Sequence, residues 1–235
     1  MQEFISAIAE AIRLVATLDA DLFEIVGLSM RVSLTAVAVA CLIGLPVGAS
    51  LAIAQFPGRH FLIVTISALM GLPPVVVGLI IYLFLSNTGP LGWLELLYSP
   101  SAMIIAQTIL VAPIVAALSR QVIEDLNAEY AEQFRSLSVS LKTAIITLLW
   151  DARHSLATVA LAGFGRAIAE VGAVIIVGGN IDHLTRVMTT AIALETSKGN
   201  LDLALALGLI LIVIALAVNA SVTILRGASA DHGNG

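Results

Sequence analysis

Charge is what this sequence has least of. Aspartate, glutamate, lysine and arginine make up 11% of its 235 residues, where a soluble domain carries about a quarter. A soluble globular protein is therefore excluded. The net charge of −5 argues against nucleic acid as a partner. Cysteine is nearly absent. Cys41 stands alone in an apolar run, so no disulfide within the chain can form, and it reads as a small buried hydrophobe. His60, His154, His183 and His232 lie far apart with no metal-ligand spacing. No G-x-x-x-x-G-K followed by Ser or Thr occurs, so the chain does not hold ATP in a phosphate loop. Gly178-Gly179 reads instead as a helix end. No nucleophile–base pair or carboxylate pair stands out, so no catalysis is expected. The opening MQEFISAIAEAIRL lacks a basic n-region and a cleavage site, so it is not read as a signal peptide. No internal repeat is visible.

What remains is apolar. Hydrophobic residues form 59% of the chain and mean hydropathy is +1.04. No charged residue occurs in 32–58, 60–94, 96–119 or 203–225, and 154–181 is interrupted only by Arg166 and Glu170. Each run exceeds the roughly 20 residues that cross about 30 Å of hydrocarbon. The expected fold is all-α and embedded in the lipid bilayer, with about five spans near 27–54, 61–85, 101–123, 154–178 and 202–225. Residues 1–26 are expected to form an interfacial segment whose amphipathic stretch, 3–18, carries Phe4, Ile8, Ile12 and Val15 on one face; a sixth span there, interrupted by Glu3, Glu10 and Arg13, is the alternative. Residues 27–225 form one transmembrane domain, and 226–235 a disordered tail. Arg59, Arg120, Arg135, Lys142, Arg153 and Arg226 fall on one side of this arrangement; Arg13, Arg186 and Lys198 fall on the other. The richer side should be cytoplasmic, which places the N-terminus outside and the C-terminus inside.

The polar interruption at 124–153 is the most informative stretch. Within it, Phe134, Leu137, Leu141, Ile145 and Leu148 recur at spacings of three and four, on one helical face. Glu129, Glu132, Gln133, Arg135, Ser136 and Lys142 occupy much of the rest. Such a helix in a cytoplasmic loop is suited to a groove on a soluble partner. Two further places could carry mechanism. Arg166 and Glu170 are four apart, on one face of the fourth span, where each charge costs on the order of 3 kcal/mol; they are either a structural ion pair or part of an anion route. Pro73-Pro74, with Pro46 and Pro113, falls inside expected spans. There it either kinks a helix for packing or frees backbone carbonyls at a gate. Gly163, Gly165 and Gly172 permit close helix approach, and Asn219 offers an interhelical hydrogen bond.

These residues resemble a family. Glu132-Gln133-Phe134, then Ser138, then Leu148-Leu149-Trp150-Asp151 is similar to the EAA motif of ABC importer permeases, with Ser138 in place of its glycine and Asp151 in place of its proline. The stretch Leu72-Pro73-Pro74-Val75-Val76-Val77-Gly78, followed by Asn87-Thr88-Gly89-Pro90-Leu91-Gly92, resembles the molybdate and tungstate permeases. Gly163-Phe164-Gly165-Arg166-Ala167-Ile168-Ala169-Glu170-Val171-Gly172-Ala173, with Val177-Gly178-Gly179-Asn180-Ile181, resembles the tungstate branch. The likeness covers roughly 25–225. It implies a type I ABC importer permease in the plasma (inner) membrane of a prokaryote: a homodimer with its pathway at the dimer interface. A cytoplasmic ATP-binding subunit would carry ATP and Mg, leaving no cofactor in this chain. An extracytoplasmic oxyanion-binding protein would deliver substrate. Glu129, Glu132, Phe134, Ser138 and Leu141 would couple to the ATPase; Arg166, Glu170, Pro73 and Pro74 would lie at the pathway or gate. Tungstate is the expected cargo, with molybdate or sulfate as alternatives. A self-sufficient secondary anion transporter is the alternative from another class.

Overall fold

The computed structural model describes Arg13, Thr17 and residues 19–232, with side chains to 223. The interfacial segment expected at 3–18 therefore lies outside the described residues, apart from those two positions. Every regular element among the described residues is helical: α1 Ala20–Ile53, α2 Arg59–Leu69, α3 Pro74–Leu85, a 3-10 turn Gly92–Leu94, α4 Pro100–Ser136, α5 Leu141–Asp151, α6 Arg153–Ile168, α7 Gly172–Gly178, α8 Met188–Lys198 and α9 Leu201–His232. Three of these, α1, α4 and α9, are long and apolar enough to cross a membrane; counting each of two bent pairs as one span gives five.

The second and fourth spans are not the continuous helices that were expected. The second bends by 99° between α2 and α3, and the fourth by 60° between α6 and α7. The first break follows from chemistry. Proline pushes the residue before it out of the helical region, and Pro73 is extended at ψ 121 while Pro74 opens α3. Pro73 and Pro74 thus separate two helices rather than kink one, whereas Pro46 and Pro113 do sit inside helices. The fourth span breaks without proline, at Ala169–Val171. α8 between the last two spans was not anticipated, and α9 continues past 225 to His232.

The chain divides into two compact units. One comprises Met1–Thr35, Pro73–Gln107 and Ile168–Ala217; the other Ala36–Leu72, Thr108–Ala167 and Val218–Gly235. In the first, the half-helices α3 and α7 pack on each other. A Cβ on Gly78 would stand 2.8 Å from the Ala173 Cα, so only a hydrogen fits there. Met103, Val174, Val177 and Met188 are fully buried around this contact unit. Buried polar groups bridge its elements: the Met188 N–H donates to Ser29 Oγ at 2.8 Å, and Thr190 Oγ1 donates to Asn180 Oδ1 at 2.9 Å.

In the second unit, Arg59 closes the C-terminal end of α1. Its Nε donates to the Leu51 carbonyl at 2.7 Å and its fork to Glu124 Oε1 at 2.9 Å, while Arg120 pairs with the other Glu124 oxygen. One carboxylate thereby ties α1, α2 and α4. Beside it, Ala49, Ala52, Ile123, Leu148, Ala152 and Leu156 form a buried cluster.

Replacing Gly78 by Val should destabilise the protein by about 1–3 kcal/mol through overpacking. Gly208→Ala, where a Cβ meets nothing within 4 Å, should not. Thermal unfolding of both variants in detergent checks this.

Candidate coupling surface and helix breaks

The polar loop is two helices, not one. α4 runs through to Ser136, and the chain then turns. The Val139 N–H bonds the Phe134 carbonyl at 3.0 Å and the Ser138 N–H bonds that of Arg135 at 3.2 Å. This is the Schellman pattern, whose turning residue is usually glycine. Here it is Ser138, at φ 50. The turn sits where the motif calls for glycine, and serine takes the left-handed conformation at a cost of about 1 kcal/mol. Ser140 then starts α5, its Oγ accepting the Thr143 N–H at 3.3 Å.

The turn splits the apolar set expected on a single face. Leu148 is fully buried, with Phe134, Ile145 and Leu149 packed around its cluster. Leu137 is 74% exposed and Leu141 49%. Ile146 and Trp150, at 57% and 72% exposure, join this outward surface. Neither was singled out from sequence, because single-helix periodicity does not predict which side faces out once the helix is broken. Glu129, Glu132 and Ser138 are also exposed. Among the candidate coupling residues, then, Phe134 is an anchor, while Glu129, Glu132, Ser138 and Leu141 face outward. Tyr130 stacks on Phe134 at 5.6 Å and donates its hydroxyl to Asp151 Oδ2 at 2.8 Å, joining α4 to α5.

The two helix breaks meet in the first unit. A Cβ on Gly172 would fall 2.7 Å from Val75 Cγ2, and Val75 follows Pro74 directly. The same position lies 3.6 Å from Glu170 Oε1, so the start of α3 and the Glu170 carboxylate both border Gly172. Glu170, only 5% exposed, does not continue α6. Its Oε1 accepts the Ala173 N–H at 3.1 Å, capping α7, and its carbonyl accepts the Thr189 hydroxyl at 2.7 Å. Arg166 lies in the last turn of α6. The four-residue spacing of Arg166 and Glu170 is thus not that of one helix, since the break falls between them. Thr189, nineteen residues from Glu170, carried no signal in sequence.

Sequence spacing gave no metal site, yet folding brings Asp21, Glu24 and His183 together, with ligand atoms within 4.8 Å of one another. All three are exposed, and His183 Nδ1 lies 2.9 Å from Glu24 Oε2. This is a surface ion pair. The hydrogen bond and charge of Glu24, then the charge of Asp182, hold the His183 pKa above the usual imidazole value. The contact is therefore present at low pH and is lost as pH rises through that raised value.

Two predictions follow from this geometry. Ser138→Gly should raise stability by about 1 kcal/mol and Ser138→Val lower it, read as opposite shifts in melting temperature. Glu24→Gln should lower the His183 pKa toward the ordinary imidazole value while the Asp182 and Asp21 charges remain, read by NMR of the labelled imidazole.

The model of the family described as binding-protein-dependent transport system inner membrane component matches residues 44–230. A tungstate uptake system permease protein of Peptoclostridium acidaminophilum is 37% identical over 216 residues, 92% of this chain and 95% of that protein. A probable anion ABC transporter permease protein of Haloferax volcanii is 40% identical over 186 residues, 77% and 80% of the two chains. A sulfate transport system permease protein of Escherichia coli is more distant, at 28% over 180 residues, 69% and 58% of the two.

Proposed function

Because the chain belongs to the family of binding-protein-dependent transport system inner membrane components, we propose that it is the permease subunit of an ATP-driven importer whose cargo is tungstate. The observation that carries the reading is the near end-to-end match to a tungstate uptake permease. In this reading the chain lies in the plasma membrane with its N-terminus outside and its C-terminus in the cytoplasm. It works as a homodimer. An extracytoplasmic binding protein delivers the oxyanion, and ATP with Mg is held by a cytoplasmic ABC subunit, so the permease needs no cofactor and does no chemistry of its own.

The loop provides the coupling. Leu137, Leu141, Ile146 and Trp150 offer an exposed apolar surface on a polar hairpin, the arrangement a groove on a soluble subunit recognises. Glu129 and Glu132 supply hydrogen-bond acceptors at its rim. Behind that surface, Phe134, Ile145 and Leu148 lock the hairpin onto α1 and α4. A displacement of the ATPase groove is then transmitted to those helices rather than absorbed by a loose loop.

Arg166, Pro73 and Pro74 are the residues we place along the anion route. Arg166 supplies attraction for a divalent oxyanion where hydrocarbon would repel it. The proline break provides a bend between half-helices. Glu170 positions this region by capping α7.

The test is tungstate uptake into vesicles bearing this chain, its ABC subunit and its binding protein, with molybdate and sulfate as competitors. Uptake should require ATP and be displaced poorly by sulfate. Leu137→Asp should weaken ATPase association roughly ten-fold or more, and Glu132→Ala by less, without unfolding the permease. Uptake independent of ATP would overturn the reading in favour of a secondary carrier, and robust uptake of only molybdate or sulfate would change the cargo.

A further inference from the structure

Within the second unit, α1 and the α5–α6 arm enclose an open trough of about 520 Å³. Cys41, Leu42 and Leu45 line it from α1, and Leu149 and Leu156 from the other side. Arg153 is its one charged lining residue. α1 belongs to the helices able to span a membrane, so hydrocarbon or another helix, rather than water, fills such a trough.

The cation decides between those occupants. Arg153, the first residue of α6, lines this arm between Leu149 and Leu156. Its guanidinium lies 5.2 Å from the centroid of the Trp150 ring and gives one N–H to the Trp150 carbonyl at 3.0 Å. A guanidinium has five N–H donors in a fork that matches phosphate oxygens. No carboxylate lies within ion-pair distance of it among the described residues. The adjacent Asp151 carboxylate accepts the Tyr130 hydroxyl instead. A second copy of this chain, seated on the same trough by two-fold symmetry, would present the same lining. That lining holds no acid for Arg153. A phosphate answers the charge, and the chain attached to it answers the apolar walls.

We propose that this trough is a binding site for an anionic phospholipid. One acyl chain lies along Leu42, Leu45 and Leu156, and the headgroup phosphate sits on Arg153. The loop side of the chain is the cytoplasmic side by its lysines and arginines, and anionic lipids are concentrated in that leaflet. The site goes beyond the transport reading and does not depend on the cargo.

The full-length chain, co-purified with its ABC subunit, is placed in phosphatidylcholine nanodiscs containing a small fraction of phosphatidylglycerol with a photoactivatable group on one acyl chain. After illumination, mass spectrometry should find adducts on peptides carrying residues 38–46 and 149–160. Arg153→Gln should reduce them about five-fold, the loss of one near-surface cation, and Arg153→Lys should retain most of them. Leu45→Trp, which fills the trough while leaving Arg153 in place, should remove them. Equal labelling by a phosphatidylcholine probe, or labelling indifferent to Arg153→Gln, would overturn the site and leave only bulk lipid. Cross-linking of the single cysteine Cys41 to a second copy by a bismaleimide, with no lipid adduct, would also overturn it and assign the trough to the dimer.

Discussion

Hydrocarbon offers no partner to a backbone N–H or carbonyl, and this chain breaks two of its five spans. Each interrupted turn exposes groups that a continuous helix would satisfy, at several kcal/mol apiece if left bare in lipid. The structure answers this need locally. At the proline break, Pro73 has no N–H to orphan, and its carbonyl accepts from Val76 and Val77 at 3.0 and 3.2 Å. At the other break, Glu170 turns its carboxylate onto the Ala173 N–H while Thr189 takes its carbonyl. The half-helices that result can approach closely because Gly78 meets Ala173 and Gly172 meets Val75. The polar and the small residues of this region answer the same requirement: irregular backbone at membrane depth must be buried in protein.

That requirement explains which parts of the fold were legible. Charge-free runs report hydropathy and length, so all five spans could be counted from them. They do not report continuity. A run such as 60–94 looks the same whether one helix or two occupies it, and only Pro73-Pro74 hinted at the division. The fourth span carried no proline, and its break rests on a carboxylate cap that resembles, in sequence, an ordinary i,i+4 charge pair. Arg166 and Glu170 were therefore read as neighbours on one face of a single helix, as an ion pair or as part of an anion route, although Glu170 stands beyond the end of α6. The contact that fixes its role comes from Thr189 on α8, and no local pattern announces a bond between residues so far apart.

The polar hairpin was legible in another way. The motif register put Ser138 where the family has glycine, yet the apolar spacing was read as one helix; the chain does turn at Ser138, at φ 50, although serine lacks the conformational freedom that glycine brings to a left-handed position. The Schellman bonds of Ser138 and Val139 and the Ser140 cap outweigh roughly 1 kcal/mol of local strain. What periodicity could not give was the direction of each apolar side chain. A single helix would put Phe134, Leu137, Leu141, Ile145 and Leu148 on one stripe. The turn instead sends Phe134, Ile145 and Leu148 inward and leaves Leu137 and Leu141 outside.

This partition bears on how an engine outside the membrane could move helices within it. A docking helix joined by flexible chain would follow its partner without passing force onward. Here Leu148 is fully buried against Ala49 and Ala52 of α1 and Ile123 of α4, and the Tyr130–Asp151 bond holds the two arms of the hairpin together. α4 itself continues from the apolar segment to Ser136 without interruption. A load applied at Leu137 or Leu141 therefore meets a packed cluster and a continuous helix. Glu124 clamps the same region, bridging Arg59, the first residue of α2 and bonded to the Leu51 carbonyl of α1, to Arg120 on α4. In the proposed coupling role, this packing is what would let an exposed apolar hairpin act as a lever while its outer residues stay open to a partner.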